Sequence, residues 1–259
     1  MIKLFNRNNK KRAKKNAIFN KKPERDYKNA VLSEKSNFSV SEGYKTTRTN
    51  IVYALSNCTD KCKKIIFTSS VPTEGKTVSC LNTAVSFAMT DCKVLIVDAD
   101  LRKPKIHTCF GMKNDVGLTS YLAGFAKFED IIQKNKEHKI DCITSGHVPP
   151  NPSELLASPK MNEFFAKVSE IYDYVFIDMP PTLLVADAVS LSKYVTGVVI
   201  VVRDNYTNKD NLRKTVADLQ FANANILGFV LNDITKKEGY YSNKYKYKYL
   251  RYKYSEYRS

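Results

Sequence analysis

Residues 63–89 read KKIIFTSSVPTEGKTVSCLNTAVSFAM, and three sequence patterns follow one another there. The apolar run at residues 65–67 is typical of a strand that is buried on both faces of a parallel sheet. A polar turn interrupts this run, and from Lys76 onward apolar residues recur every three or four positions, which predicts a helix. The start of a helix has unpaired N–H groups and a partial positive charge, so this junction suits a phosphate group.

The turn between this strand and this helix resembles a phosphate loop, whose full pattern is G-x-x-x-x-G-K-[ST]. Ser70 stands at the first glycine position, so the match is partial. Lys76 would supply a mobile positive charge for the outer phosphates, and the Thr77 hydroxyl is positioned to ligate Mg²⁺. An ordinary capped turn is the alternative, but the flanking strand and helix favour a nucleotide site. We therefore expect nucleotide contacts from the loop and from the end of the last predicted strand: Ser70, Pro72, Thr73, Glu74, Gly75, Lys76, Thr77, Val78 and Asn232.

Two further apolar runs end in aspartate residues. Residues 92–104 read CKVLIVDADLRKP and place Asp98 and Asp100 at the end of a strand pattern, and residues 172–181 read YDYVFIDMPP and place Asp178 likewise. Each aspartate on its own also fits a turn or a helix cap. Because the carboxyl ends of parallel strands meet at one edge of a sheet, the three carboxylates should lie near the phosphate loop. There they can bind Mg²⁺ or accept a proton, so the sequence predicts a magnesium-nucleotide site.

Strand and helix patterns alternate along the rest of the chain. Strands are predicted at residues 140–143, 197–202 and 226–231, short helices within 117–130, and longer helices at 41–56, 154–171, 186–193 and 208–222. This alternation predicts an α/β fold, a P-loop three-layer sandwich with a largely parallel central sheet and helices on both faces. We expect one such domain at residues 36–235, between a basic flexible arm at 1–35 and a flexible tyrosine-rich basic tail at 236–259.

The net charge of +16 is concentrated at the two ends of the chain. Residues 1–28 carry +9 and residues 236–259 carry +6, which leaves +1 for the body of the protein. The body therefore lacks the basic surface typical of a nucleic-acid-binding domain, and we expect no nucleic acid partner. The basic ends either stay solvated or adhere to anionic lipid, acidic protein surfaces or nucleic acid, with a strength that falls as salt rises.

Six cysteines are scattered among strand and helix patterns, and the sequence shows neither a signal peptide nor an apolar run of about 18 residues. These features predict a reduced, cytoplasmic protein. The spacings Cys58-x3-Cys62 and His107-x-Cys109 lack a second ligand pair at zinc spacing, so we expect no zinc site.

Eight of the 16 tyrosines lie in residues 240–259, which read YYSNKYKYKYLRYKYSEYRS. Tyr and Lys alternate there with the period of a strand, but no aliphatic face is available to join a core. One interpretation is a basic aromatic arm that binds lipid headgroups or nucleic acid. The other is that the phenols are phosphorylation substrates. Each phosphate would add close to two negative charges, so several would reverse the charge of the tail.

Taken together, these motifs resemble the bacterial tyrosine kinases that regulate capsule and exopolysaccharide synthesis, in the type whose cytosolic kinase is separate from its membrane activator. The resemblance rests on SSVPTEGKT (Walker A), VLIVDADLRKP (the additional A′ motif), YVFIDMPP (Walker B) and the tyrosine cluster. It implies ATP and Mg²⁺ as cofactors, with Lys76 on the β and γ phosphates. Thr77 and Asp178 would organise the metal, and Asp98 and Asp100 would help to place it and draw the proton from an incoming tyrosine.

The resemblance also implies autophosphorylation of the tail between neighbouring subunits and a location at the inner face of the cell membrane, through a membrane-anchored activator of polysaccharide chain-length control. A cognate tyrosine phosphatase and a ring-shaped homo-oligomer are further implied partners. In the family a Glu-x2-Arg-x2-Arg motif on the first helix mediates ring assembly. Here it reads Glu42, Lys45 and Arg48, and Lys45 loses the bidentate geometry of arginine. The implied phosphorylation sites are Tyr240, Tyr241, Tyr245, Tyr247, Tyr249, Tyr252, Tyr254 and Tyr257.

Two other functions remain open at the level of sequence. A partitioning-type ATPase of the deviant Walker class acts as a membrane- or DNA-associated switch, and its loop resembles K-G-G-x-G-K-T. Val71 stands where that loop has a lysine, and the tyrosine-rich tail also favours the kinase. The second alternative is a nucleotide-dependent scaffold that regulates polymerisation without transferring phosphate.

Overall fold

The computed structural model describes residues 30–33 and 35–234. Within these ranges seven strands form one sheet: β1 (Lys63–Ser69), β2 (Val94–Asp98), β3 (Gln133–Asn135), β4 (Ile140–Ile143), β5 (Tyr174–Asp178), β6 (Gly197–Arg203) and β7 (Ile226–Asn232). The α-helices are α1 (Phe38–Ala54), α2 (Lys76–Ala88), α3 (Ile106–Phe110), α4 (Leu118–Leu122), α5 (Pro152–Leu156), α6 (Pro159–Ile171), α7 (Asp187–Leu191) and α8 (Lys209–Phe221). Two 3₁₀ turns lie at Glu129–Ile131 and Ser192–Tyr194.

The strand order in the sheet is β3-β4-β2-β5-β1-β6-β7. All pairings are parallel except that of β3 with β4, which is antiparallel. Helices cover both faces, so the predicted P-loop α/β fold with a largely parallel central sheet is confirmed. Strands β1, β2 and β5 lie side by side, which brings the phosphate loop and all three strand-end aspartates to neighbouring positions at one edge.

Each face of the sheet has its own apolar core. On one face, Leu95 and Ile177 of the sheet pack with Phe164 of α6 and Leu219 of α8. On the other face, α1 and α2 cover Phe67 and Phe176, and the ring of Phe87 lies 5.1 Å from that of Phe176. Strands buried on both sides must be apolar throughout, which explains the continuous runs of the sequence.

The prediction of a single helix at residues 154–171 is wrong, because the structure has two helices there, α5 and α6. Pro159 is the first residue of α6, and the preceding Ser158 has an extended backbone (φ −69°, ψ 154°). Proline has no N–H to continue a helix and disfavours helical geometry in the residue before it, but it fits the first position of a new helix. Strand β3 was also not predicted, since its three residues are polar and pair only with the edge of β4.

The first helix begins three residues earlier than the sequence pattern indicated. Asn37 caps α1 by accepting a hydrogen bond from the backbone N–H of Ser39 at 2.9 Å. This side-chain cap satisfies one of the unpaired donors at the helix start. The apolar pattern used for the prediction begins only at Tyr44, so the first turn carried no periodic signal.

Residues 30–33 lie against the domain although the sequence placed them in the basic arm. Val31 and Leu32 are buried. The Asn82 side chain of α2 accepts a hydrogen bond from the Leu32 N–H and donates one to the Ala30 carbonyl, both at 2.8 Å. Residues 1–29 and 34 of the predicted arm, and the predicted tail at 236–259, lie outside the described residues. No described helix is both long and apolar enough to cross a membrane.

Candidate active site

The phosphate loop, residues 70–77, joins β1 to α2 in a tight left-handed turn. Gly75 precedes the helix with φ +94°, a region that favours glycine. A Cβ at this position would lie 2.0 Å from Asn232 Nδ2, so the turn also needs the missing side chain for space. Asn232, at the end of β7, donates from Nδ2 to the Glu74 carbonyl at 3.0 Å. The loop is therefore held by the last strand as well as by its own.

Lys76 lies at the centre of the site, between two carboxylates. Its Nζ is 2.9 Å from Asp100 Oδ2 and 3.3 Å from Asp178 Oδ1, and the lysine side chain is 12% exposed. Burial alone would lower the lysine pKa, but the carboxylates of Asp178 and then Asp100 outweigh it, so the pKa is raised. The ammonium group therefore stays charged at every physiological pH, as a phosphate-binding lysine requires.

Thr77 and Asp178 are joined by a short hydrogen bond. The Thr77 hydroxyl donates to Asp178 Oδ2 at 2.6 Å, and Asp178 is fully buried at the end of β5. Burial raises the Asp178 pKa, while Lys76 and the Thr77 hydroxyl oppose that shift. A buried carboxylate without such partners would be costly, so the lysine and threonine are what allow an ionised aspartate here.

Asp98 lies beside Asp178, because the two residues are paired on the adjacent parallel strands β2 and β5. Its Oδ2 accepts backbone hydrogen bonds from Lys105 and Ile106 at the start of α3, each at 2.9 Å. Its Oδ1 is buried and has no hydrogen-bond partner. Burial, and then repulsion from the Asp178 carboxylate, raise the pKa of Asp98 to about 7. The free oxygen and this raised pKa indicate that the Asp98 carboxylate can bind a proton or a cation.

The site fits a magnesium ion bound together with phosphate oxygens. Among the described residues no group of three or more His, Cys, Asp or Glu side chains could hold a metal by itself. Mg²⁺ in phosphoryl-transfer sites usually takes only one or two carboxylates and completes its shell with water and phosphate. The free oxygen of Asp98, together with Asp178 and Thr77, provides that kind of donor set.

All six cysteines are free thiols.

The loop after β6 contacts the phosphate loop, and no motif in the sequence identified it. We call Arg203, Tyr206 and Thr207 the loop brace. Thr73 Oγ1 donates to Tyr206 Oη at 2.9 Å, Arg203 Nη1 donates to the Thr73 carbonyl at 3.3 Å, and the Thr207 hydroxyl donates to Glu74 Oε1. The one available signal was position, because Arg203 ends the buried strand β6 and the other two residues follow it, at the same edge of the sheet.

The remaining predicted nucleotide contacts also lie in or beside the phosphate loop. Pro72 and Thr73 are exposed, whereas Ser70 and Glu74 are buried. The Ser70 hydroxyl has no hydrogen-bond partner. Val78, in the first turn of α2, is half-buried.

The residues predicted to mediate assembly lie away from this site, on α1. Lys45 forms an ion pair with Glu42 at 2.9 Å along the helix. Arg48 instead turns toward α2 and donates from Nη1 to the Ser86 carbonyl. The predicted phosphorylation sites, Tyr240 through Tyr257, lie outside the described residues.

Comparison with known proteins gives consistent results. The AAA domain family matches residues 62–227. The tyrosine-protein kinase YwqD of Bacillus subtilis (strain 168) is 41% identical over 208 residues, which are 79% of this chain and 87% of that protein. The solved kinase domain of the Escherichia coli tyrosine kinase ETK is 34% identical, with a TM-score of 0.74 and 78% of each chain covered.

The partitioning class is a more distant match. The septum site-determining protein MinD from Pyrococcus horikoshii OT3, solved with Mg-ADP, is 27% identical with a TM-score of 0.59, and the match covers 68% of this chain and 72% of that one. The fold is therefore shared with that protein, whereas the higher identity over most of the chain is with kinases. The chain belongs to the bacterial tyrosine-protein kinases.

Proposed function

We propose that this kinase uses ATP and Mg²⁺ to phosphorylate tyrosine hydroxyl groups, beginning with those of its own carboxyl-terminal tail. The observation that carries the proposal is the cluster at the carboxyl edge of the sheet. Lys76 lies within 3.3 Å of two carboxylates there, and Asp98 presents a buried oxygen without a partner. The last described strand, β7, ends at this same edge with Asn232, and the tyrosine-rich tail follows it in the sequence.

The residues divide the work of phosphoryl transfer among them. The tyrosine oxygen forms a bond to the γ-phosphorus as the bond from that phosphorus to ADP breaks, and the phenol loses its proton. A free phenol has a pKa near 10, so a neighbouring base is needed at neutral pH. Asp98 and Asp100 are the candidate bases, and Lys76 would neutralise charge on the β and γ phosphates. Positioning and charge neutralisation should provide most of the rate enhancement.

Mg²⁺ would be held by Asp178, Asp98 and the Thr77 hydroxyl. When bound, it would neutralise phosphate charge and orient the transferred group. The Thr77 oxygen accepts one long hydrogen bond, from Lys76 Nζ at 3.5 Å, and keeps a lone pair for an ion because its own proton is donated to Asp178. Both residues sit at the junction of rigid elements, which fixes the two donors relative to the phosphate loop.

The cellular role we propose is regulation of capsular or extracellular polysaccharide synthesis. In that role the protein would work at the inner face of the cell membrane with a membrane-anchored activator, and it would form a homo-oligomer through α1. A tyrosine phosphatase would remove the phosphate groups from its tyrosines. The Lys45 side chain, which is half-exposed and pairs with Glu42, supports α1 as a contact surface. Arg48 would have to leave the Ser86 carbonyl before it could join that contact.

A phosphosite map tests the proposed function directly. We expect incubation with ATP and Mg²⁺, with and without the cytoplasmic segment of the activator, to label tail tyrosines detected by mass spectrometry. Lys76→Met in a homogeneous sample should abolish labelling, because the charge between Asp100 and Asp178 is lost. Lys93→Met is the matched control, since that side chain is exposed at the opposite end of β2.

The outcome that contradicts the proposal is equally specific. Absence of phosphate from every tail tyrosine under both conditions would reject autophosphorylation. Labelling confined to exposed tyrosines of the domain, such as Tyr53, would also reject the tail as the substrate. ATP hydrolysis that accompanies membrane or DNA binding without tyrosine labelling would favour the partitioning-type switch.

A further inference from the structure

We propose that Arg203 and Tyr206 are positioning residues that hold a strained phosphate loop in its nucleotide-binding form, and that Asp233 at the base of the tail keeps Arg203 in place. The inference rests on the proposed binding of nucleotide at this loop. It adds a control point to that site, because Asp233, which precedes the tyrosine-rich tail in the sequence, is linked through Arg203 to the loop proposed to bind phosphate.

The strain lies at Thr73. Its φ is +68°, a left-handed conformation that β-branched residues rarely adopt and that is strained. Glycine would adopt this conformation freely. Such a conformation persists only where surrounding contacts determine it. The contacts that determine it here come from the loop brace.

Two side chains of the brace hold Thr73 from different directions. Tyr206 Oη accepts the Thr73 hydroxyl at 2.9 Å and donates to the Pro72 carbonyl at 3.3 Å. Arg203 reaches the Thr73 carbonyl at 3.3 Å. The Arg203 guanidinium also stacks 5.1 Å from the centre of the Tyr206 ring, so each of the two side chains limits the motion of the other.

Asp233 fixes the other side of Arg203. Its Oδ2 accepts from Arg203 Nε at 2.8 Å and from Nη2 at 2.7 Å. A guanidinium held in this way keeps its remaining donor aimed in one direction, here at Thr73. Asp233 directly follows β7, and the tail begins three residues later in the sequence. A change in the direction of the chain at residue 233 would therefore be transmitted to the phosphate loop through one side chain.

The base of the loop is fixed separately, which isolates the role of Thr73. The fully buried Glu74 accepts hydrogen bonds from the Val71 N–H at 3.1 Å and from the Thr207 hydroxyl. Thr207 is hydrogen-bonded to the backbone of Arg203 but not to its side chain, so truncating that side chain should free the tip of the loop without unfolding the turn. The expected effect is on nucleotide affinity more than on folding.

Binding of a fluorescent ADP analogue with Mg²⁺ to the full chain tests this inference. We expect Arg203→Ala to raise the Kd about ten-fold, equivalent to ~1.4 kcal/mol, and Tyr206→Phe and Asp233→Asn to raise it by smaller factors. Arg213→Ala is the matched control, because Arg213 pairs with Asp210 at 3.1 Å on α8, and it should leave the Kd unchanged.

A rescue experiment distinguishes a positioning role of Arg203 from direct contact between Arg203 and the nucleotide. Combining Thr73→Gly with Arg203→Ala should restore the Kd to within about two-fold of the Thr73→Gly variant, because glycine needs no brace to adopt this conformation. An equal loss of affinity in both backgrounds would overturn the inference, as would an unchanged Kd in Arg203→Ala. Failure of the unmutated protein to bind the analogue would instead reject the proposed function.

Discussion

At the scale of single residues, Asp98 is a fully buried carboxylate with one oxygen that has no hydrogen-bond partner. Burial and the nearby Asp178 carboxylate raise the pKa of Asp98 to about 7, so without metal or nucleotide the folded protein holds a proton that the unfolded chain releases near pH 4. Between these two pH values the folded state binds more protons, and rising pH therefore favours unfolding.

We expect the free energy of unfolding, measured by chemical denaturation in the presence of a chelator, to fall by a few kcal/mol as the pH rises from about 4 to 7. Asp98→Asn should remove most of this decrease, since the amide does not titrate and its oxygen can still accept from Lys105 and Ile106. Asp115→Asn, at an exposed site, should retain the decrease. A pH profile identical in all three proteins would contradict the assignment.

At the scale of elements, the join of β1 to α2 depends on Gly75. We expect Gly75→Ala to destabilise the protein by about 1–3 kcal/mol and to abolish nucleotide binding, because the new Cβ is strained at φ +94° and meets Asn232 at 2.0 Å. Gly43→Ala provides the control: no atom lies within 4 Å of its added Cβ, and alanine is favoured by ~1 kcal/mol inside a helix. Thermal denaturation of both variants measures the difference, and equal stability would show that the turn tolerates a side chain.

The strands, helices and loops differ in how well the sequence predicts them. The strands that hold the site were predictable because a strand buried on both faces must be an unbroken apolar run, as at β2 and β5. The break between α5 and α6 was missed because the helical pattern continues through Pro159. The loop brace was missed because Arg203 contacts Thr73 across 130 residues of sequence, and only the neighbouring positions of β1 and β6 bring the two together.

At the scale of the whole molecule, the order of the strands assembles the site. Lys76, Asp98 and Asp178 come from three adjacent strands or the turns that follow them, so their meeting at one edge follows from the parallel sheet. That meeting was predictable from sequence. The charge state and the unpaired oxygen of Asp98 were not, because they depend on burial and on the register of β2 with β5.

Ligand binding should therefore stabilise the entire domain. We expect ADP with Mg²⁺ at about 100 times its Kd to raise the free energy of unfolding by ~2.7 kcal/mol, seen as a higher melting temperature. Addition of a chelator should reduce the increase, and Asp178→Asn should make the increase insensitive to Mg²⁺. A magnesium effect that survives in Asp178→Asn would place the metal elsewhere.

The Asn82 side chain has a practical consequence for where this protein can be trimmed. Its amide joins Ala30 and Leu32 to the helix that starts at the phosphate loop. A version cut to begin at residue 36 would leave that amide buried with neither peptide partner, and it would uncover the apolar surface beneath Val31 and Leu32. Shortened versions should therefore keep residues 30–33, so that the catalytic core retains its own first segment.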